Sequence, residues 1–290
     1  MPHPRDPRPY QIACLAGLLV YGLTSLGFDI GIPQVAITLG GALLAQYVCG
    51  RLAGVPRFDP RSALISGLSL CLLLRTDAPL LAAVAAFVAV GSKFVLRVRG
   101  KHVFNPTNLG LVVMILSSDR VWASAGQWGT GGFFAFLMAC LGGLVAHRAW
   151  RSDVAWAFLA AYVAFLLGRA TSLGDPLTIP FHSLQSGALL LFTFFMISDP
   201  RTTPDAREAR LAFGVLVAAG AYYVQFRLFR TNGLLWSLFC LSPLVPLLDR
   251  LLPGDRYLWP APAQGALREG DVDATLVADP GRLAADGAVR

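Results

Sequence analysis

The chain has 290 residues, of which 55% are hydrophobic and 14% charged, and its mean hydropathy is +0.59. Soluble domains carry roughly 25% charged residues, so this balance excludes a water-soluble globular enzyme and a disordered chain. The net charge of +7 fits basic loops beside a lipid bilayer, not nucleic acid, and about ten spans of ~20 residues use up the length.

Apolar runs predict helices over about 12–30, 33–50, 62–74, 79–96, 107–117, 129–150, 154–170, 183–197, 211–226 and 233–252. The first run follows Arg5 and Arg8. It is too long for a signal peptide and no small-residue cleavage site precedes Asp29, so it reads as a span. The third and fifth runs are short. About 11 residues at 1.5 Å each fall well below a ~30 Å hydrocarbon core. Gly126-Gln127-Trp128-Gly129 reads as an interfacial turn with an aromatic anchor. Pro243 and Pro246 break the tenth run. With the N-terminus inside, nineteen of the 24 Lys and Arg residues fall on the inner side, which places both termini in the cytoplasm. Residues 1–258 then form one transmembrane domain. Residues 259–290, rich in Ala, Gly, Asp and Pro, read as a disordered cytoplasmic tail. The five cysteines sit in or beside apolar runs without a C-x-x-C pair and read as packing residues. No metal-ligand cluster is expected.

Two stretches of the chain look alike. One runs from Ser66-Gly67 through Asp77-Ala78-Pro79 to Asn105-Pro106-Thr107-Asn108; the other runs from Ser186-Gly187 through Asp199-Pro200 to Thr231-Asn232-Gly233. They begin five spans apart and so cross the bilayer in opposite directions. That predicts an all-α polytopic fold of about ten transmembrane helices in two inverted five-helix repeats, about 10–118 and 129–252, with short or broken helices. Such breaks gather around a site near the midplane, because non-helical backbone at that depth must be buried or line a cavity.

Chemistry concentrates in two segments on the predicted cytoplasmic side. In Arg99–Asn108, Asn105 is placed to cap a helix whose first position is Pro106. The free N–H groups there, flanked by Lys93, Arg97, Arg99 and Lys101, suit an anionic group or an electron-rich ring carbonyl. The second segment is Ile197–Asp205, a helix stop followed by a Ser/Thr/Pro turn. No carboxylate lies mid-span apart from Asp249 near the end of the last run, which argues against a carboxylate proton relay.

Phe104-Asn105-Pro106-Thr107-Asn108-Leu109-Gly110 resembles the F-N-P-A-M-x-G stretch of the RnfD/NqrB family. The segment from His182-Ser183-Leu184-Gln185-Ser186-Gly187-Ala188 to Phe195-Met196-Ile197-Ser198-Asp199-Pro200-Arg201-Thr202 is similar to that family's H-L-L-S-G-A … F-F-x-x-T-D-P-V-T. Ser62–Gly67 resembles its N-S-A-L-L-T-G, and Arg210–Gly214 its G-R-L-I-F-G. The resemblance covers about residues 10–258. It implies a bacterial inner-membrane subunit of an electron transport system that works with iron–sulfur and NAD-binding subunits. It also implies a flavin, riboflavin or FMN. Family members attach FMN to a Thr of an S-x-A-T motif in the loop after the fifth span. Here that loop, Ser118–Trp128, contains no Thr, so covalent FMN is not expected and a flavin would be held noncovalently. Lys101, His102, Asn105, Thr107 and Asn108, with Ser186 and Gly187, are the expected contacts, and Asp199, Thr202 and Thr203 are expected to close the site. The alternatives are a flavin-free transporter or channel on the same scaffold, or an accessory membrane protein of a specialised biosynthetic locus.

Overall fold

The computed structural model describes residues 6–55, 58–124, 132–148 and 150–257. The predicted tail and the Gly126–Gly129 turn lie outside these residues. All ten apolar runs form helix. The first group is α1 (Arg8–Thr24), α2 (Ile32–Leu52), α3 (Pro60–Leu73), α4 (Pro79–Val95) and α5 (Pro106–Ser117). The second is α6 (Gly132–Arg148), α7 (Ser152–Leu173), α8 (Thr178–Leu184), α9 (Gly187–Leu191), α10 (Arg207–Phe226), α11 (Gly233–Leu241) and α12 (Val245–Leu251). Proline in the first turn starts α2 to α5, where its missing N–H costs nothing. Asp59 and Asn105 cap α3 and α5, each accepting a backbone N–H. α7 stops at Gly174, whose φ of +71° is a left-handed cap.

Two predicted runs are subdivided. The eighth is α8 and α9, bent by 51° at Gln185–Ser186, with α9 running on as a π-helical turn, Phe192–Met196. The tenth is α11 and α12 joined by a 3-10 turn at Ser242–Leu244, where Pro243 and Pro246 interrupt the ladder.

The fold is mostly helical, as expected, with four two- or three-residue strands among the described residues that the sequence reading did not anticipate. β1 (Leu74–Thr76) pairs antiparallel with β4 (Val121–Ala123), Leu74 opposite Ala123 and Thr76 opposite Val121. The pair satisfies backbone groups just where α3 and α5 stop short. β2 (Arg97–Val98) and β3 (Lys101–His102) form a hairpin whose two-residue turn, Arg99-Gly100, has φ of 51° and 75°.

Among the described residues four helices are long and apolar enough to cross a bilayer: α2, α7, α10 and the α11–α12 rod; the bent α8–α9 pair makes a fifth. α3, α4 and α5 are apolar but shorter. Packing follows one plan in both groups. α2 packs on α4, α4 on α5 and α1 on α3; α7 packs on α10, α10 on α11 and α6 on α9. Small residues allow the close approaches. A β-carbon at Gly110 of α5 would lie 2.9 Å from the Ala85 carbonyl oxygen of α4, and one at Gly233 of α11 2.8 Å from that of Ala221 of α10. α5 and α11 meet each other and join the two groups.

Candidate functional site

The seam between the groups is built at the start of α5. Asn105 Oδ1 accepts the Asn108 N–H at 3.0 Å, while Asn105 Nδ2 donates to the Met196 carbonyl at 3.2 Å. Asn108 Nδ2 donates to the Leu235 carbonyl of α11 at 3.1 Å. The Asn-Pro corner therefore sits against the π-helical turn that leads to Asp199-Pro200, on the same side of the molecule. Asn108 is 1% exposed, yet among the described residues its Oδ1 has no hydrogen-bond partner. Thr107 is buried beside it in the first turn of α5.

Beyond this contact the seam opens into a cavity of about 280 Å³. Phe192 and Tyr162 supply aromatic wall; Ser124, Ser183, Ser186, Gln225 and Asn232 supply hydroxyl and amide groups. Leu73 and Ala123, at the β1–β4 pair, form one side. The Tyr162 hydroxyl donates to Gln225 Oε1 at 2.8 Å. Met196 and Leu235, whose carbonyls hold Asn105 and Asn108, also line this cavity. Its size is close to the roughly 300 Å³ lower bound of pockets that take drug-sized ligands.

The expected site residues thus divide. Ser186 lines the cavity, Gly187 is buried next to it, and Asn105 and Asn108 lie one hydrogen bond behind its wall. Lys101 is engaged elsewhere: its Nζ bridges Asp205 (2.9 Å) and Asp249 (2.7 Å), and Asp249 also accepts the Asp205 N–H at 2.7 Å. His102 follows Lys101 in β3. Burial, then Arg201, Arg97 and Lys93, push its imidazole down to about 3, so it is neutral. Asp199, Thr202 and Thr203 form a turn that lines neither pocket of the seam. Both Thr hydroxyls donate to the Asp199 carbonyl, and Arg151 Nε donates to Thr203 Oγ1 at 3.0 Å. Burial raises the Asp199 carboxyl, which its hydrogen bond from the Arg201 N–H partly offsets. This turn anchors the start of α7 to the seam instead of closing the cavity.

Tyr162, Gln225, Asn232, Ser183 and Ser124 were not among the expected residues. The available signal was a polar side chain alone in an apolar helix, as with Gln225 in α10 and Tyr162 in α7. Among the described residues no group of His, Cys, Asp or Glu could hold a metal ion.

Long apolar helices, other helices broken at a polar seam, and large apolar side chains exposed on the outside define a multi-pass membrane protein. Residues 119–257 match the profile of the NQR2, RnfD, RnfE family. Similarity extends along the chain to one subunit of a proton-translocating ferredoxin:NAD(+) oxidoreductase complex from Clostridium ljungdahlii, 21% identical over 280 residues, covering 77% of this chain and 83% of that protein. A subunit of the ion-translocating oxidoreductase complex of Shewanella amazonensis is 27% identical over 144 residues, 49% of this chain and 41% of that protein. The corresponding Tolumonas auensis subunit is 35% identical over 72 residues, 25% of this chain and 21% of that protein. Over residues 119–257, just under half of its length, the chain is similar to the NQR2, RnfD, RnfE family. Its matched region spans about two fifths of the Shewanella relative's length.

Proposed function

We propose that the protein is the membrane subunit of an ion-translocating electron transport complex and holds a flavin noncovalently in the cavity lined by α7, α9, α10 and α11. The single observation that carries this is the cavity's chemistry: an aromatic wall, a ring of hydroxyl and amide groups, and a buried Asn108 oxygen without a partner just behind it. A planar ring that both stacks and hydrogen-bonds fits such walls. A bound flavin would supply one- and two-electron redox chemistry. The protein's own part is to hold the ring by Tyr162 and Phe192, to orient its polar edge by Ser186, Gln225 and Asn232, and to keep lipid and water out. Electrons would arrive from and leave to other subunits of a complex, as the names of the Clostridium and Shewanella relatives suggest. Iron–sulfur and nicotinamide sites are to be sought in those subunits.

The same reading has ten spans in two inverted halves in a bacterial inner membrane, with both termini cytoplasmic. The matched packing of the two groups supports it, and so do left-handed residues at matching places after α4 and α10: Arg99 and Phe229 both have φ of 51°. Cysteine labelling from each side of sealed vesicles tests the topology.

One absorption spectrum of gently extracted protein, before and after acid precipitation, tests the flavin. A yellow chromophore released into the supernatant is expected. A chromophore that stays in the pellet would mean covalent attachment, and a colourless protein would remove the redox role. In that case the second reading stands, a transporter or channel, favoured by pockets opening at both ends of one seam. Solute or ion flux in liposomes without partner subunits would then be observed.

A further inference from the structure

The arginine-rich end of the seam carries a second pocket, of about 210 Å³, between the β2–β3 hairpin and the chain that follows α12. Arg99, Lys101, His102, Asp205, Asp249 and Arg256 supply its polar lining. Charge within it is unevenly balanced. Lys101 is matched by Asp205 and Asp249, and His102 is neutral. Arg99 and Arg256 enter no ion pair among the described residues; instead Arg256 Nη2 donates to the Arg99 carbonyl at 2.6 Å, which holds the two guanidinium-bearing segments side by side. Arg97 and Arg201 stand behind them and add to the positive field around His102. Arg99 occupies the left-handed first position of a two-residue turn, where Asn or Asp is the usual choice. That conformation costs an arginine energy and puts its charge at the hairpin tip.

Val98, which lines the pocket, is exposed, and so are Val95 three residues before it at the end of α4 (79%) and Leu251 (65%) and Leu252 just before the pocket's Pro253. Two arginines without an ion pair, with exposed apolar residues adjoining the pocket's lining along the chain, match a headgroup and its acyl chains. We propose that this pocket binds the phosphodiester headgroup of an anionic phospholipid, with Arg99 and Arg256 on the phosphate and the acyl chains along Val95, Val98, Leu251 and Leu252. An acidic soluble partner would need the arginines but not the exposed apolar residues, so these favour the lipid. The site is independent of the flavin cavity, and either can fail without the other.

The test uses the full chain in detergent, with native mass spectrometry on titration with phosphatidylglycerol or phosphatidylcholine of the same acyl chains. Wild type retains phosphatidylglycerol in preference to phosphatidylcholine. R99Q/R256Q weakens phosphatidylglycerol binding by roughly tenfold or more. R99K/R256K keeps most of it, and R120Q, a cation at the opposite end, leaves it unchanged. Equal binding of the two lipids by wild type would overturn the proposal whatever the variants do. So would an unchanged R99Q/R256Q protein, or displacement of the lipid by inorganic phosphate or by polyglutamate, which would assign the pocket to a free phosphate or an acidic protein.

Discussion

The two ends of the seam are built differently. At the arginine-rich end, three charges from three segments far apart in sequence meet: Lys101 before α5, Asp205 before α10 and Asp249 in α12. Asn105 closes the contact onto Met196 beside them. At the other end the same helices part around a cavity. Its polar groups, Ser124, Ser183, Ser186, Gln225 and Asn232, come from separate stretches of chain and leave the space between them open. One end fastens the two helix groups and the other leaves room for a ligand. Charges taken out of solvent are costly unless paired, as Lys101 is with Asp205 and Asp249, so the closed end is held rigid. Hydroxyls and amides around a space can exchange partners when something enters it.

Removing the fastening is expected to have the largest effect. K101M strands Asp205 and Asp249 without their cation, and breaking a buried pair in this way costs about 3–5 kcal/mol. Thermal unfolding in detergent should show the loss, and K101M/D205N/D249N should recover most of it. A K101M protein as stable as wild type would mean that the closed end is not what holds the groups together. At the open end the most sensitive position is expected to be Gly233, where α11 begins against the Ala221 carbonyl. G233A forces these backbones apart and should cost about 1–3 kcal/mol in the same assay.

Much of this asymmetry was hidden in the sequence. The ten helical segments were legible because runs of apolar residues and first-turn prolines are local signals; the bend at Gln185–Ser186 inside the eighth run was not. The Asn105 cap was legible for the same reason as the helices. The β1–β4 pair was not: three-residue strands show no periodicity, and Thr76 and Val121 are joined only through the fold. Nor was the role of Lys101. Its carboxylate partners lie 104 and 148 residues away, so the sequence showed a cation beside a helix start but not that its charge was already taken. Asp249 read as a lone carboxylate at a span's end for the same reason. The π-helical turn at Phe192–Met196, which offers its carbonyl to Asn105, carries no composition signal at all.

A pH series sharpens the contrast at intermediate size. His102 is at the closed end, and its folded imidazole titrates near 3 against an ordinary value of 6.5. Between those values the unfolded chain holds the extra proton. Stability is therefore intact above about 6.5 and falls as the pH drops toward 3, by about 1.4 kcal/mol for each unit. Comparing unfolding at pH 7.5 and 5.5 should show the loss in wild type and not in H102N. Equal losses in both would place the pH sensitivity on other groups. At the open end, Y162F removes the hydrogen bond to Gln225 and should cost about 1 kcal/mol. The same variant should release flavin more readily than wild type during purification; unchanged retention would mean that the ring does not rest on Tyr162.

The smallest effect is expected where an ion pair at the open end lies in solvent. Arg120 Nε contacts Asp77 Oδ1 at 2.9 Å, as close as Lys101 is to Asp205, but both side chains are more than half exposed. Water screens the pair and little desolvation was spent in forming it, so R120Q should change stability by no more than a few tenths of a kcal/mol. The distances at the two ends are the same; burial differs, and Lys101 holds a second carboxylate. If R120Q matched K101M in its effect, burial would not be the quantity that distinguishes the fastened end from the open one, and the β1–β4 loops would have to be counted as a second fastening of the seam.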